Sequence, residues 1–346
     1  MKLLLASLLF GSAIALHASP SVDSETAASE QNSVRTTTDI DYVFVAVYAP
    51  VIGQAGVEEL IVKQFEDQYR DHENSKIQPV VYYTSDVLTA VMDGFAHIGI
   101  SREKWSDKDV AMLENRYKEA PLALTISASA HGLIKNDDND TLSLPLPTVK
   151  ALFSDDPSRC EAKARVDWRE LGASTFVEGA DSLISVYPHS PQSVEGKRFA
   201  RLATCDGALI GANEIDDTQN QAGYADGLAS ALLKVANDPR GLTYDVYKAD
   251  HKKQYIAIED TQGEAVPVRE DTVFSGQYPL GNVYYAHIAP FALDNPSVQQ
   301  YIEYMLSDKT QNALQKNGLL ALPQAIVHRN RVALSQEMPI YKDGYR

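Results

Sequence analysis

The chain has 346 residues, 44% of them hydrophobic, and a formal net charge of −16. That length suits about two domains with a real core. The charge disfavours a nucleic-acid binder, which is usually basic, but it does not exclude an anion ligand, because the field inside a pocket matters more than the total.

Met1-Lys2 followed by the apolar run Leu3 to Leu16 and small residues reads as a secretory signal over 1–18, with cleavage after Ala15 or Ala18. The run is too short to span a bilayer comfortably, and no second long apolar stretch follows, so the mature chain is expected to have no membrane span. Residues 19–40 are polar and small and read as a flexible leader.

Tyr42 to Tyr48, rich in β-branched and aromatic residues, reads as a buried strand. After the loop Pro50 to Gly56, the residues Val57, Leu60, Ile61, Phe65 and Tyr69 recur at helical spacing. Val80 to Tyr83 is a second strand. Thr84-Ser85-Asp86 caps a helix from Val87 to Met92, stopped by Asp93-Gly94. Ala96 to Ile100 is a third strand, ending in Ser101-Arg102. Strand-end loops gather at the carboxyl edge of a parallel sheet, and helix amino termini there favour anions. The functional expectation therefore starts as a pocket built from strand ends.

Further on, Ser106 caps a helix through Tyr117, and Pro121 to Ile126 and Gly132 to Ile134 read as two strands, the first crossing into a second lobe. The turn Asn136 to Thr141 lacks the glycine and terminal glutamate of a calcium loop and reads as a surface loop; Asn139-Asp140-Thr141 also forms a glycosylation sequon. Ser143 to Phe153 gives a strand end and a short helix, and Trp168 anchors a compact turn. Leu183 to Tyr187 is a strand that runs through His189-Ser190-Pro191-Gln192-Ser193 into a helix from Val194 to Leu202. Helix 227–237, strands at 242–244, 255–259 and 283–285, and one long closing helix from Val298 to Lys316 complete the chain. Cys160 and Cys205, an even pair in an exported chain, are expected to form a disulfide rather than remain two buried thiols.

No catalytic motif is present: there is no Gly-x-Ser-x-Gly, His-Glu-x-x-His, Walker loop or Cys-x-x-Cys. The scattered histidines read as structural, and no cofactor or metal is expected.

Several pieces, in order, resemble the phosphate-binding members of the periplasmic substrate-binding protein superfamily: Phe65 to Tyr69, Met92-Asp93-Gly94 with His97 to Ser101, Trp168 to Gly172, Asn237 to Tyr244, Tyr278 to Gly281, and Tyr304 to Ser307 with Gln311 and Gly318. The resemblance implies an α/β, two-lobed, type II periplasmic-binding-protein fold with a ligand cleft between the lobes. It implies 41–125 plus 272–346 as lobe one and 126–271 as lobe two. It further implies capture of a small anion, phosphate first, by hinge closure in a monomer without catalysis, and delivery to an ABC permease. The ligand set carried over by position is Gln54, Ala55 and Gly56, Thr84 and Ser85, and Ser101 with Arg102 in lobe one, and His189, Gln192 and Ser193 in lobe two. These loops depart from the family pattern: Val57, Asp86 and Glu195 stand where small or neutral residues are usual, and His189 replaces an arginine. A different small anion or polar ligand, or a reused scaffold without a transported ligand, therefore stays open.

Overall fold

The computed structural model describes residues 41–49, 57–70, 76–163, 165–191, 193–205, 207–210, 224–249 and 254–335. The expected signal, the leader, and the loop residues Gln54, Ala55, Gly56 and Gln192 lie outside them.

β1 (Asp41–Tyr48) pairs in parallel with β2 (Ile77–Thr84) and with β3 (Ile98–Ser101). α1 (Val57–Arg70) buries Ile61, Val62 and Phe65 on one face; each contributes about 1.5–3 kcal/mol. α2 (Val87–Met92) is capped by Asp86, whose side chain accepts the Thr89 amide, and Gly94 at φ 79 ends it in the left-handed region. α3 (Asp107–Tyr117) opens with a reciprocal Ser106–Asp109 capping box.

β4 (Leu122–Lys135) is one strand of 14 residues rather than two. The small, polar stretch Ser127 to His131 reads as a break in sequence, yet its side chains are buried and its serines are satisfied by distant partners. Ser127 donates to the Leu320 carbonyl, and Ser129 shares a hydrogen bond with the Tyr284 hydroxyl. Partners 155 and 193 residues away leave no local signal.

β5 (Ser143–Pro145), α4 (Leu146–Phe153), a two-residue β6 (Ser185–Val186), α5 (Val194–Ala203), α6 (Tyr224–Asn237) and β7 (Gly241–Val246) follow. β8 (Ala257–Glu259) and β9 (Ala265–Val266) join β5 in a small separate sheet. After α7 (Glu270–Phe274), β10 (Gly281–Ile288) returns beside β4 and β3. The expected closing helix is two, α8 (Pro296–Met305) and α9 (Asp308–Lys316), because Ser307 restarts the helix by accepting the Thr310 amide. α10 (Gln324–Leu334), not foreseen, follows Pro323 and packs on β4 through Asn330, which donates to the Thr125 carbonyl. The sequon residue Asn139 is buried, its Oδ1 accepting the Thr141 amide, so it is a turn-former and no accessible acceptor for a glycan.

The main sheet has the order β2-β1-β3-β10-β4-β7-β6. β10 is antiparallel to β3 and β4, β4 is antiparallel to β7, and β7 is parallel to β6. β1–β3 and β6–β7 thus run in opposite senses. Ser101, at the end of β3, aligns through Tyr285 with Thr125, whereas Val246, at the end of β7, aligns with His131. Both sets of carboxyl ends therefore face the middle of β4. One buried core gathers β1, β3, α1, α8, α9 and the first half of β4; the other gathers the second half of β4, α4, α5 and β7. Among the described residues, only β4 and β10 contribute strand residues to both.

Candidate functional site, an arginine-lined cleft at the middle of β4

The cleft is built from both sides of the sheet junction. Glu58 comes from the first turn of α1, Arg102 from the end of β3, Ser129 and His131 from β4, Arg198 and Arg201 from α5, and Asn282 and Tyr284 from β10. The rotation of α5 is set by packing: Phe199 stacks on Tyr244 of β7 at 3.6 Å, and Ala200 and Ala203 are buried. That leaves Glu195, Arg198 and Arg201, spaced three apart, on one face. Gly196 is required at this helix start, because a Cβ would stand 2.1 Å from the Ser190 carbonyl oxygen.

The charges are arranged in pairs. Arg198 Nη1 donates to Glu195 Oε1 at 2.7 Å, and Glu195 Oε2 lies 3.4 Å from His131 Nε2. Burial alone raises the Glu195 carboxyl, but the His131 hydrogen bond and Arg198 outweigh it and hold it below the usual carboxylate range. Arg102 Nε sits 3.9 Å from Glu58 Oε1 and its guanidinium covers the Tyr48 ring at 5.3 Å. Glu58 is 2% exposed, and burial pushes its carboxyl up, against the pull of its own backbone N–H, Arg102, Arg201 and Arg198. Among the described residues, Glu58 Oε1 and His131 Nδ1 are buried without a hydrogen-bond partner, an arrangement that costs about 1–3 kcal/mol per group. The space left is about 10 Å3, roughly one water site.

The residues anticipated from sequence are placed as follows. Arg102 lines the cleft. Ser101 donates to the Glu103 carbonyl and lies 3.0 Å from His287 Nε2, on the other side of the strand end. Thr84 accepts the Asp86 amide, and Ser85 is exposed. His189 is buried, stacks on Tyr244 and donates from Nε2 to the Tyr244 carbonyl. Ser193 caps α5, accepting the Gly196 amide and donating to the Ser190 carbonyl. Cys160 and Cys205 form a disulfide with Cα atoms 5.4 Å apart. The sequence reading passes over Glu58, Ser129, His131, Arg198 and Arg201. The signal for the α5 group was present, since Glu195-x-x-Arg198-x-x-Arg201 marks one helix face, but such a face ordinarily reads as solvated.

A larger cavity, about 400 Å3, opens at the amino ends of β6 and β7 among Asp138, Phe176, Val177 and Arg240. Arg240 there is already bound by Asp238 and Asp181, and the cavity lies away from the carboxyl ends, so the smaller cleft is the better site. Among the described residues no group of histidine, cysteine and acidic side chains has metal-binding geometry, and no helix is long and apolar enough to cross a membrane.

Residues 50–309 match the model of the PBP superfamily domain. The chain is 24% identical over 284 residues to the phosphate-binding protein PstS of Pseudomonas aeruginosa, covering 80% of this chain and 84% of that one. Its fold is similar to the crystal structure of a possible phosphate binding protein from Planctomyces limnophilus, with a TM-score of 0.61 at 13% identity, over 87% of this chain and all of that one. It is also similar to PstS from Borrelia burgdorferi, with a TM-score of 0.51 at 14% identity, over 82% and 99% of the two chains. With three quarters of its length matched and two α/β cores joined by a pair of crossover strands, the chain belongs to the PBP superfamily, the two-lobed periplasmic-binding-protein fold.

Proposed function

We propose that this protein captures a small tetrahedral oxyanion, inorganic phosphate first, in the cleft at the middle of β4 and delivers it to an ABC permease in the periplasm, without catalysing a reaction. The observation that carries the reading is the convergence of Arg102 from one lobe with Arg198 and Arg201 from the other, beside the Ser129 hydroxyl, in a chain of net charge −16. Arginine forks match oxyanion geometry, and a cationic cleft in an acidic protein is a local construction. The phosphate-binding relatives support phosphate as the ligand, and the similar fold of an ABC-type phosphate transport receptor from Vibrio cholerae supports a permease as the partner. The signal-like first 18 residues support export.

The test is isothermal titration of the mature chain with phosphate after unfolding and dialysis. Micromolar or tighter binding is expected. Arg102→Ala and Arg201→Ala should each weaken it by about 1.5–3 kcal/mol, about ten- to a hundredfold. A folded protein that gives no heat up to millimolar phosphate would show the lobes to be a scaffold reused without this ligand.

A further inference from the structure

The most unusual group in the cleft is Glu58. It is the second residue of α1, so its carboxylate sits at a helix amino terminus, where backbone N–H groups favour an anion. It is 2% exposed, lies 3.9 Å from Arg102, and feels Arg198 and Arg201 across the cleft. One of its oxygens has no hydrogen-bond partner among the described residues. The cavity around it, about 10 Å3, is too small for a tetrahedral oxyanion together with this carboxylate. A carboxylate surrounded by cations from both lobes, at a helix start, occupies the place that an oxyanion would take.

We propose that Glu58 is a built-in anion: in the closed cleft it stands in for the ligand, draws the arginines of the two lobes together, and must leave before an oxyanion enters. This rests on the cleft being the anion site described above, and adds that the site carries its own tethered competitor. The competitor weakens capture and speeds release, because the displaced carboxylate returns to the arginines as the ligand departs.

The opposite role is equally specific. A carboxylate that accepts a proton from a bound hydrogen oxyanion would be a ligand contact, and removing it would weaken binding. The two roles predict opposite signs.

The experiment uses the full mature chain with Glu58→Gln, which keeps the shape, and Glu58→Ala, which vacates the place. Phosphate affinity is measured by titration, and thermal stabilisation is measured with phosphate and, separately, with formate, a free carboxylate. Both variants should bind phosphate about tenfold tighter or more than the unaltered chain. Formate at tens of millimolar should raise the Tm of Glu58→Ala and leave that of the unaltered chain unmoved. Weaker or unchanged phosphate binding in both variants, where the unaltered chain binds it, would overturn the proposal. If neither the unaltered chain nor the variants bind phosphate, the formate arm decides. Rescue confined to Glu58→Ala would uphold the tethered anion while phosphate falls as the ligand. No rescue would overturn both.

Discussion

His287 is a histidine held neutral by its surroundings. It is fully buried on β10, its ring stacks on Trp105 at 4.1 Å, and its Nε2 lies 3.1 Å from the Glu103 carbonyl oxygen. Burial lowers its pKa to about 3; the Glu103 carbonyl opposes this and Lys104 adds to it. In the unfolded chain the ring protonates near 6.5, while the folded ring stays neutral until about 3. Between these values the unfolded state binds more protons, so stability is present above the unfolded value and drains away as pH falls towards the folded one. The urea midpoint of the unaltered chain should therefore fall more steeply between about pH 6.5 and 4 than that of His287→Gln. Superimposable curves would show that the ring does not carry this linkage. At this scale the sequence was legible where a residue's neighbours are local. Asp86 and Ser106 as caps follow from their place just before a helix-periodic run, whereas the reciprocal bond from Asp109 is seen only in the structure. Glu58 reads in sequence only as an acidic residue favourable to a helix start, and its place among arginines depends on three separate elements.

Elements whose physics is local agree with the sequence closely. α2 spans Val87–Met92 as expected, and β1, α1, α5 and α6 lie within a few residues of their anticipated limits. The disagreements share a cause. β4 is continuous because β10 and β7 hydrogen-bond to its two halves in turn. α8 and α9 separate because the Ser307 hydroxyl serves a cap and also donates to the Tyr304 carbonyl at 2.7 Å. Ser193 shows the same competition between structure and ligand. Its hydroxyl donates to the Ser190 carbonyl at 2.7 Å and accepts the Gly196 amide at 2.9 Å, which commits it to the start of α5. Ser193→Ala should cost about 1 kcal/mol of stability in urea unfolding, the usual price of an amino-terminal cap, and leave anion affinity within about twofold. A large loss of affinity at unchanged stability would return the hydroxyl to the ligand.

At the scale of the molecule, the two cores have separate reporters. The chain contains two tryptophans. Trp105 packs against the β1–β3 core, and Trp168 is fully buried in the α4–α5–β7 core. The Cys160–Cys205 bridge closes 45 residues within the second core. By the chain-entropy model it stabilises by about 4 kcal/mol, a benefit confined to that core. In single-tryptophan variants, reduction should therefore shift the Trp168 transition to lower urea while the Trp105 transition moves less. Coincident shifts would mean that β4 and β10 couple the cores into one cooperative unit.

The sequence by itself determined the alternation of strands and helices, the caps and the cysteine pair, because each rests on periodicity, turn chemistry or composition, while the two-lobed fold class followed from the resemblance of its ordered motifs to a known family. The sequence also led to the carboxyl edge of the sheet as the place to look, and to Arg102. Only the tertiary structure decided the rest of the cleft. Ser129 and His131 lie on a crossover strand whose small residues imitate a loop, and Arg198 and Arg201 lie on a helix face that reads as solvated. Glu58 meets them only when α1, β3 and α5 converge. Their chemistry comes from being brought together, with Glu58, Ser129 and His131 buried and Arg201 exposed at the edge, and that convergence is a property of the folded chain that spacing along it does not encode.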